Sequence, residues 1–109
     1  MATKTPLTTI FNALSDPTRL AVVERLTHGA APVTTLSAPF GMAGPSFLKH
    51  LKVLEQAGVV TTRKVGRVRM VGLAPGLLDT VQDWVNRHRR LWESRLDRFG
   101  EMLAEDEPK

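Results

Sequence analysis

Apolar residues recur at steps of three and four in five stretches of the chain, and a sixth stretch, rich in Val and Thr, alternates like strand. The first, Leu7 to Leu14, carries Leu7, Ile10, Phe11 and Leu14 on one helical face behind a polar arm, Met1 to Pro6. Ser15 breaks that pattern, Asp16 suits the N-cap of a second helix, and Pro17 fits its first turn. The second helix is expected to run to about His28, ahead of Gly29, with Leu20, Val23 and Leu26 turned to the core and Arg19 as a structural partner. Pro32 favours extended backbone over Ala30–Val33. A short third helix over Thr34–Phe40 follows, stunted by Pro39.

The fourth stretch, Pro45 to Ala57, predicts a helix with two unlike faces. Phe47, Leu48, Leu51 and Leu54 form its core side, while Ser46, Lys49 and Val53 lie opposite and His50 and Lys52 flank them. Gly58 suits the left-handed position that closes such a helix. Val59 to Leu73 then reads as a two-stranded hairpin turning around Gly66, with Arg63, Lys64, Arg67 and Arg69 near its tip. Beyond Ala74-Pro75-Gly76, a long fifth helix over 76–104 carries an apolar stripe through Leu78, Val85, Trp92, Leu96 and Phe99, interrupted only by His88. About 28 residues at 1.5 Å each span roughly 42 Å, more stripe than a small domain can cover, so a second copy is its expected partner. A lone polar residue such as His88 can set the register of such a seam. From Glu101 the chain turns acidic toward Glu107, which predicts a frayed end.

These elements predict a mainly α fold with a small β-hairpin wing, in the order α-α-(β)-α-α-β-β-α: a winged helix-turn-helix filling one domain over residues 1–109. Charge then sharpens the picture. Between Ala43 and Leu73 six cations face Glu55 alone, a local excess of five, whereas the whole chain is only +4. The basicity therefore belongs to the helix and hairpin that would read DNA, and the rest of the chain is slightly acidic. Ser46, Lys49, His50 and Lys52 are the candidate groove contacts, and Arg63, Lys64, Arg67 and Arg69 the candidate phosphate contacts of the wing. Thr34 and Thr35 of the third helix are candidates for the DNA backbone. Leu7, Ile10, Phe11, Val85, Trp92, Leu96 and Phe99 are the candidate dimer contacts.

Two segments carry a family resemblance: Ala13-Leu14-Ser15-Asp16-Pro17-Thr18-Arg19-Leu20, and Lys49-His50-Leu51-Lys52-Val53-Leu54-Glu55-Gln56-Ala57-Gly58-Val59-Val60. Both are similar to hallmarks of the ArsR family of bacterial repressors, the first to its helix-opening signature and the second to its recognition helix running into the wing. Over Ile10 to Leu73 the resemblance implies a homodimeric repressor that binds an inverted-repeat operator. The chain departs from that pattern where metal-sensing relatives carry cysteines in the third helix. Here Pro32-Val33-Thr34-Thr35-Leu36 offers no soft ligand, and the chain has no cysteine at all. On the last helix Asp79, Asp83, His88 and Glu93 lack the His-x-x-His spacing of the family's second metal site. No metal and no cofactor is expected, and any effector should be apolar, acting near Trp84 and Trp92. Ala43, Gly44 and Leu48 stand where the family places a capping Ser, a Gln and a further Ser, so its operator sequence does not transfer.

No Ser-His-Asp or Cys-His grouping, phosphate-cradling glycine loop or paired carboxylates argue for an enzyme. A non-specific architectural DNA-binding protein and a small-molecule-binding dimer are the alternative readings. The apolar runs fall short of the roughly 18 residues of a membrane span, and no signal peptide opens the chain, so the cytoplasm is the expected compartment.

Overall fold

In the computed structural model, which describes residues 5–106 and all of their side chains except those of Glu105 and Asp106, the apolar seams of two short helices face each other. Helix α1 spans Leu7–Leu14 and α2 Pro17–Leu26; a two-residue strand β1, Ala31–Pro32, leads into α3, Val33–Ser37, and a 3-10 turn, Ala38–Phe40. Helix α4, Gly44–Gln56, then enters strands β2, Val60–Val65, and β3, Val68–Leu73, and α5 runs over Leu77–Asp106. Winged helix-turn-helix architecture is what the hydrophobic pattern predicts. The polar arm expected at Met1–Pro6 lies outside the described residues apart from Thr5 and Pro6.

The fold divides into two units, residues 1–77 and residues 78–109. In the first, Ile10 and Ala13 of α1, Val22, Val23 and Leu26 of α2, Leu36 of α3, Phe47, Leu51 and Leu54 of α4 and Val71 of β3 are buried together. Two expected core residues are not among them: Leu20 is 42% exposed and Leu48 is 51% exposed. The reason is that each helix turns a polar residue inward. The inner face of α2 is Arg19, Val22, Val23 and Leu26, and that of α4 is Phe47, His50, Leu51 and Leu54, both at the i, i+3, i+4, i+7 steps of one helical face. Leu20 and Leu48 lie one residue off those faces, a rotation of about 100°.

Other boundaries also shift. Helix α2 stops at Leu26, short of His28, and the third helix divides into α3 and the 3-10 turn at the residue before Pro39. The hairpin gains a third strand, because Ala31 and Pro32 pair antiparallel with Val71 and Met70 on β3, giving the order β1-β3-β2. Two of the four positive-φ glycines among the described residues bound β2. Gly58 has φ 72°, and a Cβ there would stand 2.9 Å from the Thr5 hydroxyl oxygen. Gly66 has φ 63° at the first position of the two-residue turn between Val65 and Val68, where type II′ hairpins use glycine.

In the second unit α5 continues as helix to Asp106, past the expected fraying at Glu101; Glu107 lies outside the described residues. Trp92, Leu96 and Phe99 are exposed on it. His88 is engaged within the helix: its Nδ1–H donates to the Trp84 carbonyl oxygen at 2.8 Å, and its ring stacks on the Trp84 indole at 4.4 Å. No helix among the described residues is long and apolar enough to cross a membrane.

Candidate nucleic-acid interface

The corner between α1 and α2 fixes where α4 stands. Asp16 caps α2 by accepting the Arg19 N–H at 3.1 Å. That bond, more than the nearby His50 ring, holds the Asp16 carboxyl below its ordinary pKa, against a smaller opposing effect of burial. The Arg19 guanidinium turns back, its Nε donating to the Ala13 carbonyl at 2.6 Å and its Nη2 to that of Asn12 at 3.3 Å. Both carbonyls lie in the last turn of α1, and that of Asn12 also accepts the N–H and the hydroxyl of Ser15. The remaining amino group, Nη1, reaches His50 Nδ1 on α4 at 3.2 Å. An arginine only donates, so in this contact Nδ1 accepts. Asp16 Oδ2 stands 3.7 Å from the same nitrogen. His50 is thus turned half-buried into the junction of α1, α2 and α4, away from the free face that the sequence pattern predicts for it.

The outward face of α4 carries Leu48, Lys49, Lys52 and Val53, all exposed, with Ser46 on the first turn. Ala43 supplies no side-chain cap, so the helix opens on backbone alone, with Pro45 in its first turn. Glu55 is the only carboxylate on α4, and it is occupied: Thr62 of β2 donates its hydroxyl to Glu55 Oε2 at 2.6 Å. The same Thr62 oxygen accepts from Arg69 Nη1 at 3.1 Å, so one hydroxyl joins α4 to β3. Leu48 is the surface residue that sequence reasoning misses. An apolar side chain reads as core until the helix phase is known, and the signal that could reveal it is the polar His50 in the seam.

The wing distributes its cations over both faces. Lys64 on β2 stands directly opposite Arg69 on β3, whereas Arg63 pairs with Met70 and points to the other face; Arg67 occupies the turn. Like charges across a strand pair repel, and an anion between them would relieve that. Among the described residues Lys49, Lys52, Arg63, Lys64 and Arg67 have no ion pair or side-chain hydrogen bond. Thr34 and Thr35 part company. Thr34 lines an open cleft of about 280 Å³ with Arg67 and Arg69, and Thr35 lines a different cavity, against α2.

Of the candidate dimer contacts, Ile10 is 3% exposed, buried within its own chain and unavailable to a partner. Phe11 is 40% exposed and Leu7 half-buried; on α5, Trp92, Leu96 and Phe99 are exposed and Val85 half-buried. No group of three or more His, Cys, Asp or Glu able to hold a metal occurs among the described residues.

Residues 14–63, which run from the end of α1 to the middle of β2, match the family model of a helix-turn-helix domain. The chain is 33% identical over 93 residues to the HTH-type transcriptional regulator Rv2034 of Mycobacterium tuberculosis, covering 85% of this chain and 84% of that one. It is 36% identical over 75 residues to the arsenical resistance operon repressor of Staphylococcus xylosus, 69% of this chain and 72% of that repressor. Its fold superposes on the crystal structure of the ArsR family transcriptional regulator RHA00566 with a TM-score of 0.74 at 46% identity, over 80% of this chain and 96% of that one. With a winged helix-turn-helix, an acid-free outward face on α4 and a basic wing, the chain belongs to the ArsR family of DNA-binding transcriptional regulators, which are not enzymes.

Proposed function

We propose that the protein is a repressor that binds an inverted-repeat operator as a homodimer. The observation that carries this reading is the outward face of α4, where Leu48, Lys49, Lys52 and Val53 are exposed together and the only acid of the helix is bonded to Thr62. In the major groove Lys49 donates to guanine edges, Leu48 packs on a thymine methyl, and Ser46 and Lys52 reach base or backbone at either side. Arg63, Lys64, Arg67 and Arg69 of the wing, with Thr34, hold phosphates and set the register without reading sequence. His50 serves by positioning α4 from the inside.

A single helix reads only a few base pairs, and two copies related by a two-fold axis place theirs about 34 Å apart, one turn of B-DNA. Exposed Trp92, Leu96 and Phe99 of α5 supply the apolar anchors of that dimer, with Val85 at half burial and Leu7 and Phe11 of α1 as the second contribution. Selection of bound sequences from random DNA by the full chain tests the reading. A sharp inverted repeat with half-sites about one helical turn apart is expected. Enrichment without any shared motif would replace the repressor by a non-specific architectural protein.

A further inference from the structure

Between α2 and the α3–3-10 segment lies a cavity of about 270 Å³ whose walls are Ala21, Val22, Leu36, Pro39 and Phe40. Thr35 and Arg25 are the polar residues of its lining. Neither side chain has a hydrogen bond or ion pair among the described residues. The cavity has a mostly apolar lining, and water in it finds polar side chains only in Thr35 and Arg25. It is somewhat smaller than the roughly 300–1,000 Å³ of sites for drug-sized molecules, so a one-ring compound is the right scale.

We infer that this cavity is a binding site for a small apolar carboxylic acid of the benzoate class. The ring lies among Val22, Leu36, Pro39 and Phe40, while the carboxylate takes the Arg25 guanidinium and the Thr35 hydroxyl, two donors for its two oxygens. Arg25 is exposed and unpaired among the described residues, so a carboxylate brings it a partner without any bond being broken first. Neither Trp84 nor Trp92 lines this cavity, so the site differs from the one the sequence suggests for an apolar effector.

The site has a direct physical line to α4. Phe40, one wall of the cavity, stacks on Phe47 with ring centroids 5.7 Å apart and planes at 29°. Phe47 is 1% exposed and sits in the seam of α4, so it has no room to absorb a shift of Phe40 alone. A ring held against Phe40 therefore moves the pair and with it the recognition helix, lowering operator affinity. This coupling rests on the reading of α4 as the DNA-reading helix; the binding site does not.

Titration of the full chain with benzoate, benzyl alcohol and inorganic phosphate, followed by calorimetry and by amide shifts, separates the two. Benzoate should bind once per chain and shift the amides of α2 and α3, with benzyl alcohol and Arg25→Gln each weakening binding about tenfold or more. Operator affinity of unliganded Arg25→Gln should equal wild type, and saturating benzoate should weaken the wild-type complex. Benzoate binding insensitive to Arg25→Gln, no binding by millimolar concentrations, or phosphate binding as tightly as benzoate would overturn the site. Benzoate bound through Arg25 with unchanged operator affinity would overturn the coupling alone.

Discussion

Arg19 and His50, 31 positions apart in the chain, meet at 3.2 Å, each as the polar member of an otherwise apolar helical seam. Had either been leucine, the α2–α4 contact would be a plain hydrophobic one. With both polar, each supplies what the other lacks: a donor that must be used and an acceptor that is half-buried. The pair sets the rotation of α4 about its axis, and so decides that Leu48 and Lys49 look outward.

Removal of Arg19 is therefore predicted to do more than break one bond. Arg19→Met keeps the apolar stem but leaves the Ala13 carbonyl and the His50 nitrogen without that donor, while the Asn12 carbonyl keeps the N–H and hydroxyl of Ser15. A loss of about 1–3 kcal/mol is expected in urea unfolding, with an unchanged m-value. The double variant with His50→Leu should recover part of it, because two apolar partners of similar shape leave nothing unsatisfied. Strictly additive losses would show that the two side chains act separately.

Acid should weaken the same corner through Asp16. Its carboxyl titrates below the ordinary value of 3.8, chiefly because the Arg19 N–H donates to the charged form. A depressed folded-state pKa means that the stabilising contribution is fully present above the unfolded value. It disappears as pH falls from there through the folded value. Stability of wild type relative to Asp16→Asn, measured by chemical unfolding across the acid range, should be constant above about pH 5 and decline below 3.8. A difference that grew as the pH was lowered would reverse the sign and refute the assignment.

Much of this is legible in the order of residues, and the part that is not has a single physical cause. Every helix, the Gly58 and Gly66 turns and the Asp16 cap follow from periodicity and local backbone chemistry, and the basic wing follows from a count of charges. Periodicity fails where a polar residue lies in a seam. A pattern that counts only apolar side chains as core passes over Arg19 and His50 and turns Leu20 and Leu48 inward in their place, so the outward face it predicts for α4 omits the exposed Leu48. Pairing of β1 with β3 is equally hidden, since two residues carry no alternation to detect.

Metal is predicted to have no effect on DNA binding, although one relative is an arsenical resistance operon repressor. The chain has no cysteine, and no metal-sized cluster of His, Asp and Glu exists among the described residues. Equimolar zinc, cadmium or arsenite should leave operator affinity unchanged in a fluorescence anisotropy titration. A saturable loss with one equivalent per subunit would contradict this.

Dimerisation is predicted to depend on Trp92 and Phe99, which are 63% and 55% exposed in the single chain and so contribute little to its own folding. Trp92→Ala with Phe99→Ala should leave the unfolding midpoint of residues 5–77 nearly unchanged while weakening the dimer a hundredfold or more, at about 2 kcal/mol for a central aromatic anchor. Sedimentation equilibrium measures it. A double variant as dimeric as wild type would place the interface elsewhere.

The central claim, that α4 reads the sequence and the wing holds the backbone, is tested most directly by the affinities of Lys49→Ala and Arg67→Ala for a panel of operators carrying one altered base pair each, at several salt concentrations. Arg67→Ala should weaken every operator by the same factor and lower the salt slope by about 0.9 for each phosphate it no longer neutralises. Lys49→Ala should instead flatten discrimination at one position in each half-site and leave the other positions ranked as before. A uniform fall in affinity across the panel for both variants would contradict the claim and show that α4 is not the reading element.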